Sequence, residues 1–238
     1  MFNRIEFKNT AKRTLNGNWK IPCLITLLVL LVNLIFKLPA IYTYINLELS
    51  DSVPKTSTSI DFINNLVDIL VNGIFSIALS YFYLTITKDK TALSFQTFFE
   101  GLNFWAKGIT VALLKTLFIT LWSLLLIIPG IIKSLAYSQM EFIAAENPSI
   151  STKKVMKMSI AMTEGYKGDI FLLQLSFIGW ALLAILTLGI GYIFLEPYIY
   201  CTNTNVYYFL KSRALENGTL TYSDFGMQEK IPETTNEE

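Results

Sequence analysis

Long apolar runs recur along the 238-residue chain, and several are about as long as a lipid bilayer is thick. The first contains IPCLITLLVLLVNLIF, and a transmembrane helix needs about 20 apolar residues. Hydrophobic residues make up 53% of the chain and charged residues 16%. Because a soluble domain is about 25% charged, too few charges remain to cover a soluble fold. The pattern therefore predicts an all-α, polytopic transmembrane helical bundle.

Six runs are interpreted as spans, arranged as three hairpins with short amphipathic helices lying at the membrane interface before them. LNGNWKIPCLITLL, FEGLNFWAKGITVALL and TEGYKGDIFLLQLS each introduce one pair of spans, which suggests three similar units. Chance similarity is the alternative, because sites of membrane entry resemble one another. Together the spans define residues 1–212 as one integral membrane domain, and residues 213–238 as a polar, disordered cytoplasmic tail. The predicted spans are about 19–38, 62–87, 109–128, 131–146, 169–187 and 191–210.

Pro129 and Gly130 follow the third run, where the chain either turns between two helices or kinks within one. Lysine and arginine are enriched in cytoplasmic loops. A turn keeps the basic N-terminus, the lysine-rich segment 147–168 and the start of the tail on one side. A single kinked span over 109–146 separates them. The sequence therefore favours a turn, with both termini in the cytoplasm of a multi-pass cell-membrane protein, and leaves the kink as the alternative.

Five ionisable residues fall inside the predicted spans, where such groups are costly and often functional. At ~1.5 Å of rise per residue, Lys115 and Glu141 lie at one depth on neighbouring helices, which predicts an ion pair. The same arithmetic places Asp68 and Glu196 near the outer face, with Lys133 closer to the surface, as an outer polar cluster. These groups either form a proton or cation path or simply join helices and reach for the headgroups.

The histidine and cysteine content and the net charge restrict which catalytic, metal-binding and nucleic-acid-binding functions we expect. The chain has no histidine, which removes the commonest general base and metal ligand. Cys23 and Cys201 lie inside predicted spans and are interpreted as small apolar side chains. The net charge of +1 gives no basic patch for nucleic acid. We therefore expect no cofactor, no metal, no catalytic residue and no nucleic-acid partner. The expected partner is the lipid bilayer, and other membrane proteins or a second copy are open possibilities.

Several longer segments carry a family resemblance: LNGNWK, LWSLLLIIPGIIKSLAYSQMEFIAAENPSIS, KMSIAMTEGYKGDIFLLQLSFIGW and TLGIGYIFLEPYIYCTNTNVYYFL. The chain resembles, up to about residue 212, the bacterial integral membrane family catalogued as domain of unknown function 975. The resemblance implies a bacterial cytoplasmic-membrane protein with several helices, and it supplies no activity, substrate or catalytic residue. One departure is the segment GYKG, which has tyrosine where histidine is expected.

Three functions are compatible with these features to different extents. The first is a non-enzymatic scaffold or interaction protein of the envelope, favoured by the cytoplasmic amphipathic helices and the lack of a nucleotide motif. The second is a small transporter or channel-like protein that uses Asp68 and Glu196. A lipid-modifying enzyme is disfavoured, because the sequence has no nucleophile motif and no carboxylate cluster with metal-ligand spacing.

Overall fold

The computed structural model describes residues 1–49 and 58–227, and within these ranges all regular structure is helical. The all-α prediction is therefore confirmed. Short 3-10 turns cover Lys90–Ala92 and Tyr222–Phe225. The α-helices are α1 (Arg4–Leu15), α2 (Lys20–Leu49), α3 (Thr58–Lys88), α4 (Phe95–Leu102), α5 (Trp105–Leu125), α6 (Ile127–Ala136), α7 (Met140–Glu146), α8 (Thr152–Thr163), α9 (Lys167–Leu186) and α10 (Tyr192–Glu216).

Four of the described helices are long and apolar enough to cross a membrane: Lys20–Tyr42, Asp61–Lys88, Trp105–Leu125 and Lys167–Leu186. The predicted spans 131–146 and 191–210 are not among them. The first is divided between two short helices, and the second carries the polar run TNTN in the middle of α10. Much of the surface of the four long helices is apolar and exposed, as expected for helices that face lipid.

The chain reverses at Leu126, an extended residue between α5 and α6. The returning helices then pack antiparallel to α5. A Cβ on Gly130 would overlap the Ser123 side chain, and further along, the Phe118 and Tyr137 rings lie 6.4 Å apart. Pro129 and Gly130 thus belong to the first turn of α6 rather than to the reversal itself. Proline is tolerated there because the first N–H groups of a helix have no intrahelical partner.

The segment predicted as one span over 131–146 is interrupted at residues 137–139, between α6 and α7. A side chain of another helix stabilises this break. The buried hydroxyl of Ser159 in α8 donates to the Ala136 carbonyl at 2.7 Å and accepts from the Gln139 N–H at 3.2 Å. After it, α7 is buried on nearly every side: Met140, Phe142, Ile143, Ala144 and Ala145 are all 5% exposed or less. This short helix is the centre of the main hydrophobic core.

Helix α1, predicted as an amphipathic helix at the membrane interface, packs against α10. Asn3 caps its start by accepting from the N–H of Ile5 and Glu6. Its apolar face buries Phe7, Ala11 and Leu15. The two helices are antiparallel, since Phe2 meets Phe209 with ring centroids 5.5 Å apart, whereas Lys12 lies over the Tyr198 ring at 5.8 Å.

Residues 213–227, predicted as part of a disordered tail, are ordered. They complete α10 and form the turn Tyr222–Phe225, where Phe225 is 3% exposed. The Asn147 side chain donates to the Phe225 carbonyl at 2.5 Å, and Lys154 pairs with Asp224 at 3.0 Å. One aromatic anchor with two polar contacts holds this otherwise polar stretch. Residues 228–238 of the predicted tail lie outside the described ranges.

Candidate functional site

Helix α3 carries a polar stripe through an apolar span. Asp68, Asn72 and Ser76 follow one another at four-residue steps, so that their side chains share one side of the helix. The Asn72 amide donates to the Asp68 carbonyl at 2.8 Å, and the Ser76 hydroxyl donates to the Gly73 carbonyl at 3.1 Å. Both side chains thus satisfy a donor locally and still offer acceptor atoms to whatever fills the space beside α3.

A cavity of about 670 Å³ lies between α3 and α5 and is closed at one side by α7; we name it the α3–α5 cavity. Its charged lining residues are Asp68, Lys115 and Glu141. The structure brings together the predicted pair: Lys115 Nζ lies 2.6 Å from Glu141 Oε1, with the two side chains 26% and 16% exposed. A pair this enclosed is screened weakly and joins α5 to α7.

A second cavity, of about 520 Å³, lies between α2, α3 and α10; we name it the α2–α3 cavity. Asn33, Lys37 and Glu196 line it, and α3 contributes Asn72 and Ser76 to it as well as to the first cavity. The Glu196 carboxylate, in contrast to Glu141, has no hydrogen bond or ion pair within residues 1–49 and 58–227. A partly buried carboxylate without a partner can bind a cation or a hydrogen-bond donor.

The predicted outer cluster of Asp68, Lys133 and Glu196 is not formed. Lys133 lies over the Trp122 ring at 4.7 Å, and Asp68 pairs with Lys37 at 3.8 Å. The helical rise places Asp68 and Glu196 at one depth, with Lys133 closer to the surface, but it carries no information on the direction in which each side chain faces. Lys37 was missed because it ends the first predicted span, where a lysine usually extends to the headgroups.

A polar group at the ends of three helices was also missed. Glu146, at the end of α7, accepts from Lys88 at 2.9 Å, and from Tyr207 and Lys211, both at 2.5 Å. The contact brings the C-terminal parts of α3, α7 and α10 to one side of the molecule. The sequence signal was the position of Lys88 and Lys211, each at the end of a predicted span.

Among the described residues, no group of three His, Cys, Asp or Glu side chains could hold a metal ion. Both cysteines are free thiols. Cys201 is fully buried between α1 and α10, and Cys23 is partly exposed near the start of α2. The polar cavities beside α3 are therefore the best-developed candidate site in the described part of the chain.

A family model described as "Protein of unknown function (DUF975)" matches residues 1–133 and residues 124–214. The two matches together cover residues 1–214, which include α1 to α9 and all but the last two residues of α10. No curated protein and no solved structure matches the chain.

Proposed function

Since the chain belongs to the DUF975 family, whose function is unknown, we propose its function from the structure: a non-enzymatic, multi-pass protein of the bacterial cell membrane that binds a small cationic solute beside α3. Binding there would be the first step of a transporter-like or channel-like activity. The observation that carries the proposal is the Glu196 carboxylate, which faces a 520 Å³ cavity without an ion-pair partner among the described residues.

The balance of charge supports a cationic solute. Three carboxylates line the two cavities, those of Asp68, Glu141 and Glu196, against the two ammonium groups of Lys37 and Lys115. When all five are ionised, one negative charge remains. Because an unpaired charge is costly to bury, a cation that binds at Glu196 would compensate for that remaining charge.

Helix ends support the proposed orientation. Lys88, Glu146 and Lys211 meet at one side, and α1 packs against the same part of α10. Lysine-rich segments favour the cytoplasm, so that both termini are proposed to lie there. A topology reporter inserted at residues 147–150 tests this point, and activity from an extracytoplasmic reporter would refute it.

The solute hypothesis is tested with purified full-length protein in liposomes under imposed Na⁺, K⁺ or proton gradients. We expect the wild type to dissipate at least one gradient and Glu196→Gln to lose that activity. Glu164→Gln is the matched control, because this exposed glutamate ends α8 outside both cavities. Failure of the wild type to move any of the three ions, together with unchanged cells carrying Asp68→Asn and Glu196→Gln, would exclude the transport proposal.

A scaffold or interaction protein is the second candidate, favoured by the basic side chains that α1 and α8 expose. These are Arg4 and Arg13 on α1, and Lys153 and Lys157 on α8. Such a surface fits an acidic region of another membrane protein. Purification from native membranes, followed by identification of co-purifying proteins at low and high salt, tests this role. A Lys153→Glu, Lys157→Glu variant should lose a partner that binds through charge.

A further inference from the structure

The turn between α9 and α10 exposes an apolar surface. Leu186, Leu188 and Ile190 are 79%, 95% and 62% exposed. No charged residue occurs between Asp169 and Glu196. A turn that emerges into water on the far side of a membrane would normally carry polar side chains. The surface of this turn instead matches hydrocarbon.

The backbone N–H groups of the turn are paired internally. Each N–H group from Leu188 to Leu195 donates to an acceptor inside the hairpin. The Thr187 side chain supplies the acceptor for the Gly191 N–H. Its hydroxyl accepts from that N–H at 2.8 Å and donates to the Ala184 carbonyl at 2.7 Å. Within the hydrocarbon core there is no water to pair with free backbone groups. The N–H groups of this turn meet that requirement with the turn's own acceptors.

The turn between α5 and α6 is equally apolar, but not all of its backbone N–H groups are paired. The N–H groups of Ile127 and Ile128 have no hydrogen-bond acceptor in the described ranges, 1–49 and 58–227. These groups need water or lipid headgroups. The two turns therefore differ in backbone pairing while they share an exposed apolar surface, which indicates different depths in a bilayer.

Helix α1 limits how deeply α9 and α10 can enter. Lys8 donates to the Ser176 hydroxyl at 2.6 Å, and Lys12 lies over the Tyr198 ring. The opposite face of α1 exposes charged side chains, Arg4, Glu6 and Arg13 among them. Charged residues of this kind lie at the headgroups or in water, and α1 therefore marks the membrane boundary near Ser176 and Tyr198.

The length beyond that boundary is too short to cross the membrane. From Ser176 to Leu188 the helical rise amounts to about 18 Å, and from Tyr198 back to Ile190 it is about 12 Å. A bilayer has a hydrocarbon core about 30 Å thick. The hairpin thus reaches roughly the middle of the core.

We propose that α9 and α10 form a re-entrant hairpin, which enters the bilayer from the side of α1 and ends among the acyl chains near the bilayer centre. The full crossings are then α2, α3, α5 and the pair α6–α7, and the termini stay on one side. This arrangement departs from the six crossings predicted from sequence. It rests on the membrane placement of the chain and is independent of the solute proposed for the cavities.

Depth-dependent quenching tests the proposal in the full-length protein. Leu188→Cys is labelled with bimane and reconstituted into phosphatidylcholine–phosphatidylglycerol vesicles that carry a nitroxide either near the headgroup or near the end of the acyl chain. We expect a larger loss of fluorescence from the chain-end nitroxide, and none from iodide added on either side. Labelling of the wild type measures the background from Cys23 and Cys201.

Ile127→Cys, in the turn between α5 and α6, is the matched control and should be quenched mainly by the headgroup nitroxide. Iodide access at position 188 from the side opposite α1, with shallow quenching, would mean a full crossing and would overturn the proposal. Iodide access from the α1 side would place the turn outside the bilayer and would also overturn it. Ile190→Cys gives the same reading if Leu188→Cys does not fold. No solute is needed, so that a failure of cation binding leaves the result interpretable.

Discussion

Gly73 of α3 and Gly108 of α5 bring the backbones of the two helices into direct contact. A Cβ on Gly108 would overlap the Gly73 carbonyl oxygen and would lie 2.7 Å from the Ile77 side chain. Small residues permit this approach in membrane proteins, where association depends on close packing. The contact fixes α5 beside the polar stripe of α3 and thereby sets the width of the α3–α5 cavity.

Gly108→Ala is expected to lower the free energy of unfolding by about 1–3 kcal/mol, the usual cost of excess volume at a packed contact. Because the obstacle is a backbone carbonyl, no rotamer change can relieve it. Thermal unfolding in detergent measures the effect. Gly179→Ala is the matched control, since a Cβ at this position in α9 meets nothing within 4 Å. Equal stability of the two variants would contradict the role of the contact.

Lys211→Met is expected to destabilise the protein strongly, because it removes one of the two cations that compensate Glu146. The Lys211 and Glu146 side chains are 9% and 11% exposed. Removing one partner of such a buried pair costs about 3–5 kcal/mol, and Lys88, which stays at 2.9 Å, keeps the expected loss toward the lower figure. Unfolding in detergent measures it.

Two further variants test whether the loss of stability in Lys211→Met comes from the buried charge. Arg213→Gln breaks an exposed pair with Glu216 on the same helix, and should cost less than about 1 kcal/mol. The double variant Glu146→Met, Lys211→Met should be more stable than Lys211→Met alone, because it leaves no carboxylate buried with too few partners. A double variant that is less stable than the single one would show that packing rather than charge explains the loss.

Depth along a helix was predictable from sequence, whereas the direction of a side chain around its helix was not. The helical rise alone placed Lys115 opposite Glu141, and the structure has them 2.6 Å apart. The same arithmetic grouped Lys133 with Asp68 and Glu196, although Lys133 faces Trp122. The direction of a side chain around its helix depends on which neighbour that helix packs against, and a single sequence does not contain that information directly.

The Pro-Gly pair predicted the position of the chain reversal after α5 to within a few residues, whereas no sequence feature predicted the break between α6 and α7. Pro129 and Gly130 mark the start of the returning helix, three residues after the extended Leu126. The break at residues 137–139 contains neither glycine nor proline. It is stabilised by the Ser159 hydroxyl from α8, a tertiary contact that local propensity cannot reveal.

Asp224 should titrate well below an ordinary aspartate. The Thr221 backbone N–H, followed by the Lys154 ammonium and the Thr221 hydroxyl, lowers the pKa of Asp224 to about 2. An unperturbed aspartate has a pKa of about 3.9. The ionised form is favoured in the folded state, so that its contribution to stability is complete above about pH 4 and is lost as the pH falls toward 2.

Carboxyl-carbon NMR of the detergent-solubilised protein measures this titration directly. Lys154→Gln should raise the pKa of Asp224 while leaving it below 3.9, because the Thr221 N–H still donates at 2.9 Å. Lys157→Gln, also on α8, is the control and should leave the titration unchanged. An Asp224 pKa near 4 in the wild type would mean that the turn Tyr222–Phe225 does not hold this residue.

Thr187→Val should destabilise the turn between α9 and α10 although it conserves the shape of the side chain. The variant removes the hydroxyl that accepts from the Gly191 N–H at 2.8 Å, and that donor is then left unpaired in an apolar setting. Such a loss costs about 1–3 kcal/mol, a larger penalty than expected for a turn in water, where solvent would replace the lost acceptor. Thr187→Ser keeps the hydroxyl and should retain most of the wild-type stability, as measured by unfolding in lipid bicelles. If the valine and serine variants are equally stable, the Gly191 N–H has found water, and the turn does not lie in hydrocarbon.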